Sequence, residues 1–282
     1  MQTWVIFTII YAICNGIYNC SKKKATEKNN IFTILAVFTT ISFVIVALFT
    51  QNAFDVSITK IPVILAKAVV IALSWILNMY AIKKMSLSLY GILNIFSIIF
   101  VEALSVIFLK ESLSIRIVVG MLIIIVALVL VNCISNKDKK RESTPLAIFF
   151  TITACLFSSI SAIIDKKVLS EITSTQLQFW FLAFLAIIFW LVWLFKSRKF
   201  EFVELRKNYW VLIMAVIIAL GDRFLFMANA DSNSKASIIK LINQLSTIEI
   251  IILGKILFKE KNIIKKLLCS LLIIVGVAVI VI

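Results

Sequence analysis

The chain has 282 residues, 62% of them hydrophobic, with a mean hydropathy of +1.09, a net charge of +15 and no histidine. A soluble domain does not need so much apolar sequence, so we expect an integral membrane protein. The basic residues are dispersed over many short connections, which excludes nucleic acid as the expected partner and is instead typical of membrane-flanking segments.

Ten apolar runs, each long enough to cross a bilayer as a helix, follow one another along the chain. They cover residues 3–20, 31–50, 61–81, 86–109, 115–134, 145–165, 174–195, 208–230, 234–258 and 263–282. Both prolines, Pro62 and Pro145, lie at the start of a run, where a missing amide hydrogen is tolerated. Because the runs are about twice as long as a barrel strand and do not alternate, we predict an all-α membrane protein with ten transmembrane helices.

The sequence carries no motif of a known enzyme class. It lacks GxSxG, HExxH and Walker sequences, and without histidine it offers few ways to build a catalytic centre. Its five cysteines show no CxxC or metal-site spacing. We therefore expect no enzymatic activity, no cofactor and no metal, and transport by this chain alone would not use ATP.

The connection at residues 135–144 divides the chain into two halves that repeat each other. Residues 81–111 align without gaps with residues 230–260, each position matching the one 149 residues later. Identical pairs in this alignment include Ser88 and Ser237, Asn94 and Asn243, Ser97 and Ser246, and Glu111 and Glu260.

The starts of the two halves correspond as well. The tripeptide FTI begins at Phe7 and again at Phe150, and this alignment places Lys23 on Lys166. An odd number of spans in each half inserts the second half upside down relative to the first. We therefore predict two inverted five-helix repeats, residues 1–136 and residues 145–282.

Each half ends with an apolar span, a hydrophobic-Lys-Glu turn and a last apolar span, the turns reading LKES and FKEK. This tandem arrangement resembles the EamA family of the drug/metabolite transporter superfamily over the whole chain. The resemblance implies a multi-pass protein of the bacterial cytoplasmic membrane that moves amino acids, other small metabolites or toxic compounds. Many relatives carry a proline in the fourth and ninth spans, where this chain has Ser97 and Ser246. Any bend there must then come from serine or water.

Lysine and arginine are unevenly shared between alternate connections. The connections that follow the first, third, fifth, seventh and ninth runs hold about 20 of them, and the other connections hold about 6. This difference places the lysine-rich connections in the cytoplasm and both termini outside. Ten-span relatives are often drawn with both ends inside, so the orientation stays open.

Six ionisable residues lie within the predicted spans, where an uncompensated charge is costly and usually faces a protein interior or a water-filled cavity. They are Lys67, Glu102, Asp222, Arg223, Lys240 and Glu249. Asp222 and Arg223 lie deepest and, as neighbours on a helix, point about 100° apart, so they cannot simply neutralise each other. Structural ion pairing, or side chains that reach the membrane interface from near a span end, is the alternative explanation of these residues.

Polar residues at helical spacing form stripes on the third, fourth, eighth and ninth spans. Hydrogen bonding between helices is the alternative use of such stripes. Because the four spans are equivalent in pairs, we predict one shared polar cavity. The predicted substrate-binding residues are Asp222, Arg223, Asn94, Asn243, Gln244, Trp75, Asn78, Tyr90, Glu249, Glu102 and Lys67.

These features favour a secondary transporter of a small polar or zwitterionic metabolite such as an amino acid. Coupling to a proton through Asp222, Glu249 or Glu102 and facilitated exchange both remain open. An exporter of lipophilic cationic drugs is one alternative, and a non-transporting membrane sensor or assembly subunit is another. The expected partners are membrane lipid and the small-molecule substrate, with the protein a monomer or a homodimer.

Overall fold

The computed structural model describes residues 2–27, 29–109, 144–196, 207–260 and 263–281, together with isolated positions between 115 and 130. These residues form helices joined by short connections. The α-helices that we number here are α1 Thr3–Thr26, α2 Ile31–Phe49, α3 Ile61–Lys84, α4 Leu87–Leu93, α5 Phe96–Leu109, α6 Pro145–Val168, α7 Ser174–Lys196, α8 Tyr209–Ala230, α9 Ala236–Ile242, α10 Leu245–Phe258 and α11 Ile263–Val281.

Eight helical segments in the described ranges are long and apolar enough to cross a membrane. They are α1, α2, α3 with its preceding turn, α4 with α5, α6, α7, α8, and α9 with α10. Helix α11 covers the predicted tenth span but is not among the eight, and the predicted fifth span, 115–134, lies largely outside the described residues. The protein is therefore an all-α, multi-pass membrane protein with eight candidate spans.

Two apolar runs are broken near their middle. Asn94 and Ile95 separate α4 from α5, and Asn243 and Gln244 separate α9 from α10. At each break a serine hydroxyl donates to the asparagine carbonyl three residues earlier, at 2.7 Å in the first half and 2.6 Å in the second. The backbone tightens to i→i+3 hydrogen bonds at the same points. Serine thus accompanies the distortion at both breaks.

The two halves of the chain are interlocked. Helix α1 of the first half packs most extensively on α8 and also on α10, while α6 of the second half packs on α3 and α5. Helices α2 and α7 pack on each other. This exchange of partners encloses a central space between the halves.

Two lysines at equivalent positions of the halves donate hydrogen bonds to equivalent turns. Lys23 Nζ donates to the carbonyl oxygen of Ile82 at 3.0 Å, at the end of α3. Lys166 Nζ donates to that of Asp231 at 2.8 Å, just after the end of α8. Residues 22–24 lie beyond the predicted first span, 3–20, but they form part of the last turns of α1. Helical carbonyl groups without an intrahelical partner explain why lysine recurs at both positions.

The Lys-Glu turn after α10 also has a structural role. Lys259 adopts a left-handed conformation with φ of 52°, which turns the chain away from the helix. Glu260 then accepts the amide hydrogens of Leu87 at 2.5 Å and Ser88 at 3.2 Å, in the first turn of α4. The carboxylate is therefore a helix cap. Its sequence equivalent Glu111 lies outside the described residues.

These contacts define two opposite ends of the molecule. At the Ser86 end, α1, α3 and α10 end and α4 begins. At the Asp231 end, α6 and α8 end and α9 begins. Helix α1 therefore runs toward one end and its counterpart α6 toward the other.

Candidate functional site

A central cavity of about 150 Å³ lies between the two halves. Its walls come from α1, α3, α4–α5, α6, α8 and α9–α10, with one ring from α7. Both broken spans face it at their breaks, where Asn94 and Asn243 lie. Both halves of the chain therefore contribute to one enclosed space.

The lining follows the internal repeat. Four residues of α1 and the four residues 143 positions later on α6 line it: Asn15, Tyr18, Asn19 and Lys22, and Ser158, Ser161, Ala162 and Asp165. Four residues of the first broken span and those 149 positions later line it as well: Tyr90, Gly91, Asn94 and Ser97, and Ile239, Lys240, Asn243 and Ser246. Equivalent positions therefore face one space, but their charges differ, because Lys22 corresponds to Asp165 and Gly91 to Lys240.

Helices α3 and α8 present one face each, with lining residues three or four positions apart. These residues are Lys67, Ile71, Ser74, Trp75 and Asn78 on α3, and Ile218, Asp222, Leu225, Phe226 and Asn229 on α8. The predicted stripes on both helices thus border the same cavity.

Eight of the eleven predicted site residues line the cavity, and Arg223, Glu249 and Glu102 do not. Arg223 lies half-buried on another side of α8 from Asp222. The Glu249 carboxylate lies against Gly16 of α1 and is also half-buried. Glu102 is buried within α5. The position of a charge along a span therefore does not decide whether it reaches the cavity.

Lys67 and Asp165 form a buried ion pair across the two halves. Lys67 Nζ is 3.0 Å from Asp165 Oδ1, and the side chains are 2% and 5% exposed. The ring centroids of Phe181 and Phe226 lie 3.4 Å and 4.7 Å from the same ammonium group. Aromatic faces and a carboxylate together compensate its charge, so Lys67 is held in place.

Asp165 was not among the predicted site residues, although it is the last residue of the predicted span 145–165. Helix α6 continues to Val168 and buries the aspartate. The available signal was its alignment with Lys22, since both residues precede an equivalent pair of lysines.

Lys22 lies in a different setting. Its Nζ donates a hydrogen bond to the hydroxyl oxygen of Tyr90 at 2.8 Å. The same nitrogen lies 5.0 Å and 4.8 Å from the ring centroids of Tyr18 and Tyr90. The residue is 4% exposed. No carboxylate of the described residues is in ion-pair contact with it. Lys22 is therefore a buried cation surrounded by aromatic rings.

Asp222 and Lys240 also line the cavity without a fixed partner. Asp222 is 6% exposed, and the described residues give neither side chain a hydrogen bond or an ion-pair contact. Asn243, beside Lys240, is instead held by Asn15 of α1, whose amide nitrogen lies 3.2 Å from its side-chain oxygen. The cavity thus contains one carboxylate and one ammonium group that form no hydrogen bond or ion pair with other described residues.

The chain matches the model of the EamA-like transporter family in two stretches, residues 2–133 and residues 145–282. It is also similar to a protein of solved crystal structure, with a TM-score of 0.71 and 13% identity over 100% of this chain and 99% of that one, which shows a shared fold. No curated protein matches it in sequence. Because the two family matches together span almost all of its residues, this chain belongs to the EamA-like transporter family.

Proposed function

We propose that this protein is a secondary transporter of a small zwitterionic metabolite such as an amino acid. Membership of the EamA-like family supports a membrane transporter of the drug/metabolite type. The observation that carries the substrate class is the pair of uncommitted charges, Asp222 and Lys240, in one cavity. An α-amino acid has an ammonium group for the first and a carboxylate for the second, and charge-assisted hydrogen bonds of this kind are strong away from water.

The size of the cavity supports a compact substrate. A cavity of about 150 Å³ is comparable to one that holds a benzene molecule. A multi-ring drug is too large for it in this conformation, and the lining has one net positive charge, from three lysines and two aspartates. These observations disfavour the export of lipophilic cationic drugs. A sensor or assembly subunit gains nothing from unpaired buried charges, which disfavours the second alternative.

The proposal includes ten spans in two inverted repeats, residues 1–136 and residues 145–282, in a bacterial cytoplasmic membrane. Supporting the inversion, Lys23 and its equivalent Lys166 hold turns at opposite ends of the molecule. Opening the two ends in turn would then expose the same central site to either side of the membrane. Arg223, Glu249 and Glu102 are left out of the proposed site because they lie outside the cavity lining.

Transport in liposomes tests this function. Liposomes that contain the purified protein are loaded with an unlabelled amino-acid mixture. They are expected to exchange it for labelled external amino acids faster than protein-free liposomes do. Asp222→Asn and Lys240→Met are each expected to reduce this exchange at least about tenfold, because each removes one charged contact worth more than about 1.4 kcal/mol. Asp55→Asn and Lys235→Met change exposed residues of two connections and are the matched controls.

Two results would contradict the proposal. If no amino acid is exchanged faster than in protein-free liposomes, the proposed substrate class is wrong. Wild-type exchange by both site variants would remove the site while leaving the class intact.

A further inference from the structure

We infer that the cavity carries a second anion subsite at its Ser86 end, formed by Lys22 and the hydroxyl group of Tyr90, and that the transported amino acid has an anionic side chain. This inference rests on the proposed function, in which Asp222 and Lys240 bind the α-amino and α-carboxylate groups. Lys22 is then left for a third charged group of the substrate.

The position of Lys22 separates it from the other cavity charges. It lies four residues before the end of α1, and Tyr90 lies four residues after Ser86, which caps α4, so both belong to the Ser86 end. Asp165 lies three residues before the end of α6, at the opposite end. At about 1.5 Å per helical residue, the internal repeat places these two equivalent residues in opposite halves of the cavity.

The other charges group toward the Asp231 end. Lys67 is bound there by Asp165, and Lys240 lies on α9, which begins at that end. Asp222 lies in the second half of α8, which ends there. Two lysines and two aspartates balance one another in that half, so Lys22 is the excess charge of the cavity lining.

The burial of Lys22 indicates a ligand. Its ammonium group has three hydrogens, and the described residues provide one hydrogen-bond acceptor, the Tyr90 hydroxyl. Two aromatic faces offset part of the cost of burying the charge, but no carboxylate in the described part of the chain does. Its repeat equivalent Asp165 has a buried counter-ion, in Lys67. A ligand carboxylate at the Ser86 end is then the counter-ion of Lys22, as Lys67 is the counter-ion of Asp165.

The net charge of the cavity points to the same class of ligand. Lys22, Lys67 and Lys240 against Asp165 and Asp222 leave one positive charge in excess, three minus two. A neutral zwitterion does not compensate that excess. An amino acid with an anionic side chain carries one net negative charge and does.

Isosteric pairs of amino acids test this inference. Binding of aspartate, asparagine, glutamate and glutamine to the purified protein is measured by calorimetry and by thermal shift. We expect at least one acid to bind about tenfold or more tightly than its own amide, because the two differ only in the group that reaches Lys22. In Lys22→Gln this preference is expected to fall to about twofold or less.

Two further variants guard against misfolding and general effects. Tyr90→Phe keeps the ring, removes the hydroxyl, and is expected to lower the acid-over-amide preference in a folded protein even if Lys22→Gln does not fold. Lys84→Gln removes an exposed lysine at the same end and is expected to leave the preference unchanged.

The outcomes separate this inference from the proposed function. Equal affinity of the wild-type protein for acids and amides would overturn the anionic side chain and leave an amino-acid transporter. An acid preference unchanged in both Lys22→Gln and Tyr90→Phe would overturn the subsite. Absence of binding by all four amino acids, together with absence of exchange for the wider mixture, would overturn both proposals.

Discussion

The carboxylate of Glu260 accepts the amide hydrogen of Leu87 at 2.5 Å, although 173 residues separate the two in the chain. A residue at the end of α10 in the second half thereby caps α4 in the first half. Lys266 lies 3.9 Å from the same carboxylate and supports it. The Lys-Glu turn that marks the family resemblance is therefore a contact between the two halves beside the cavity.

Glu260→Gln is expected to lower the free energy of unfolding by roughly 1–2 kcal/mol, because it weakens this cap and removes one negative charge from beside the buried Lys266. Thermal unfolding of the detergent-solubilised protein measures the change. Glu171→Gln removes a more exposed acid from the ion pair with Lys60 and is the control. Equal unfolding temperatures of both variants would contradict a capping role.

The pair of Lys67 and Asp165 is expected to be the most sensitive ion pair among the described residues. Lys67→Met or Asp165→Asn alone leaves a buried charge without its partner, which costs about 3–5 kcal/mol. The double variant Lys67→Met with Asp165→Leu is expected to recover much of that loss. Stability is measured by chemical unfolding, and the same cycle on Lys60 and Glu171 is expected to give less than about 1 kcal/mol. A double variant no more stable than the singles would mean that the residues act independently.

Asp222 and its neighbour Arg223 are expected to behave differently. Asp222→Asn removes a cavity charge and should abolish exchange, whereas Arg223→Gln changes a half-buried side chain outside the lining and should keep it within about twofold. Exchange rates at equal protein content in liposomes make the comparison. If Arg223→Gln is inactive although it folds like the wild type, the arginine belongs to the transport path in another conformation.

The serines at the two breaks are expected to tolerate proline. Ser97→Pro and Ser246→Pro lie where the helix is already interrupted, so each should cost far less than the roughly 3 kcal/mol typical of a helix interior. Ser105→Pro, within α5, is the matched control and should be strongly destabilised. Thermal unfolding and exchange are both measured. If Ser97→Pro is as unstable as Ser105→Pro, the break does not make this position tolerant of proline.

Opposite ends of the molecule are expected to face opposite sides of the membrane. In a cysteine-free background, Lys84→Cys marks the Ser86 end and Ser232→Cys marks the Asp231 end, and both positions are exposed. The charge distribution predicts that an impermeant maleimide labels only Ser232→Cys in intact cells. Labelling of Lys84→Cys alone would reverse the orientation, and labelling of both would contradict the arrangement of the ends.

Much of the fold could be predicted because long apolar runs specify membrane helices almost without reference to their neighbours. Helical spacing likewise identified the faces of α3 and α8 that line the cavity. Lys22 and Asp165 were not predicted as site residues, because the sequence near the end of an apolar run does not show whether a charged side chain faces solvent or the protein interior. Only packing against the other half decides between these outcomes, and a single span does not contain that information.

The interlocking of α1 with α8 has a consequence for the synthesis of the protein. Helix α1 emerges from the ribosome long before its main packing partner exists. At about 5–20 residues per second the delay is on the order of ten seconds or more. During that time Asn15, Asn19 and Lys22 cannot yet face a finished cavity. Completion of the cavity is therefore expected to be a late step in synthesis, because it requires the insertion of α8.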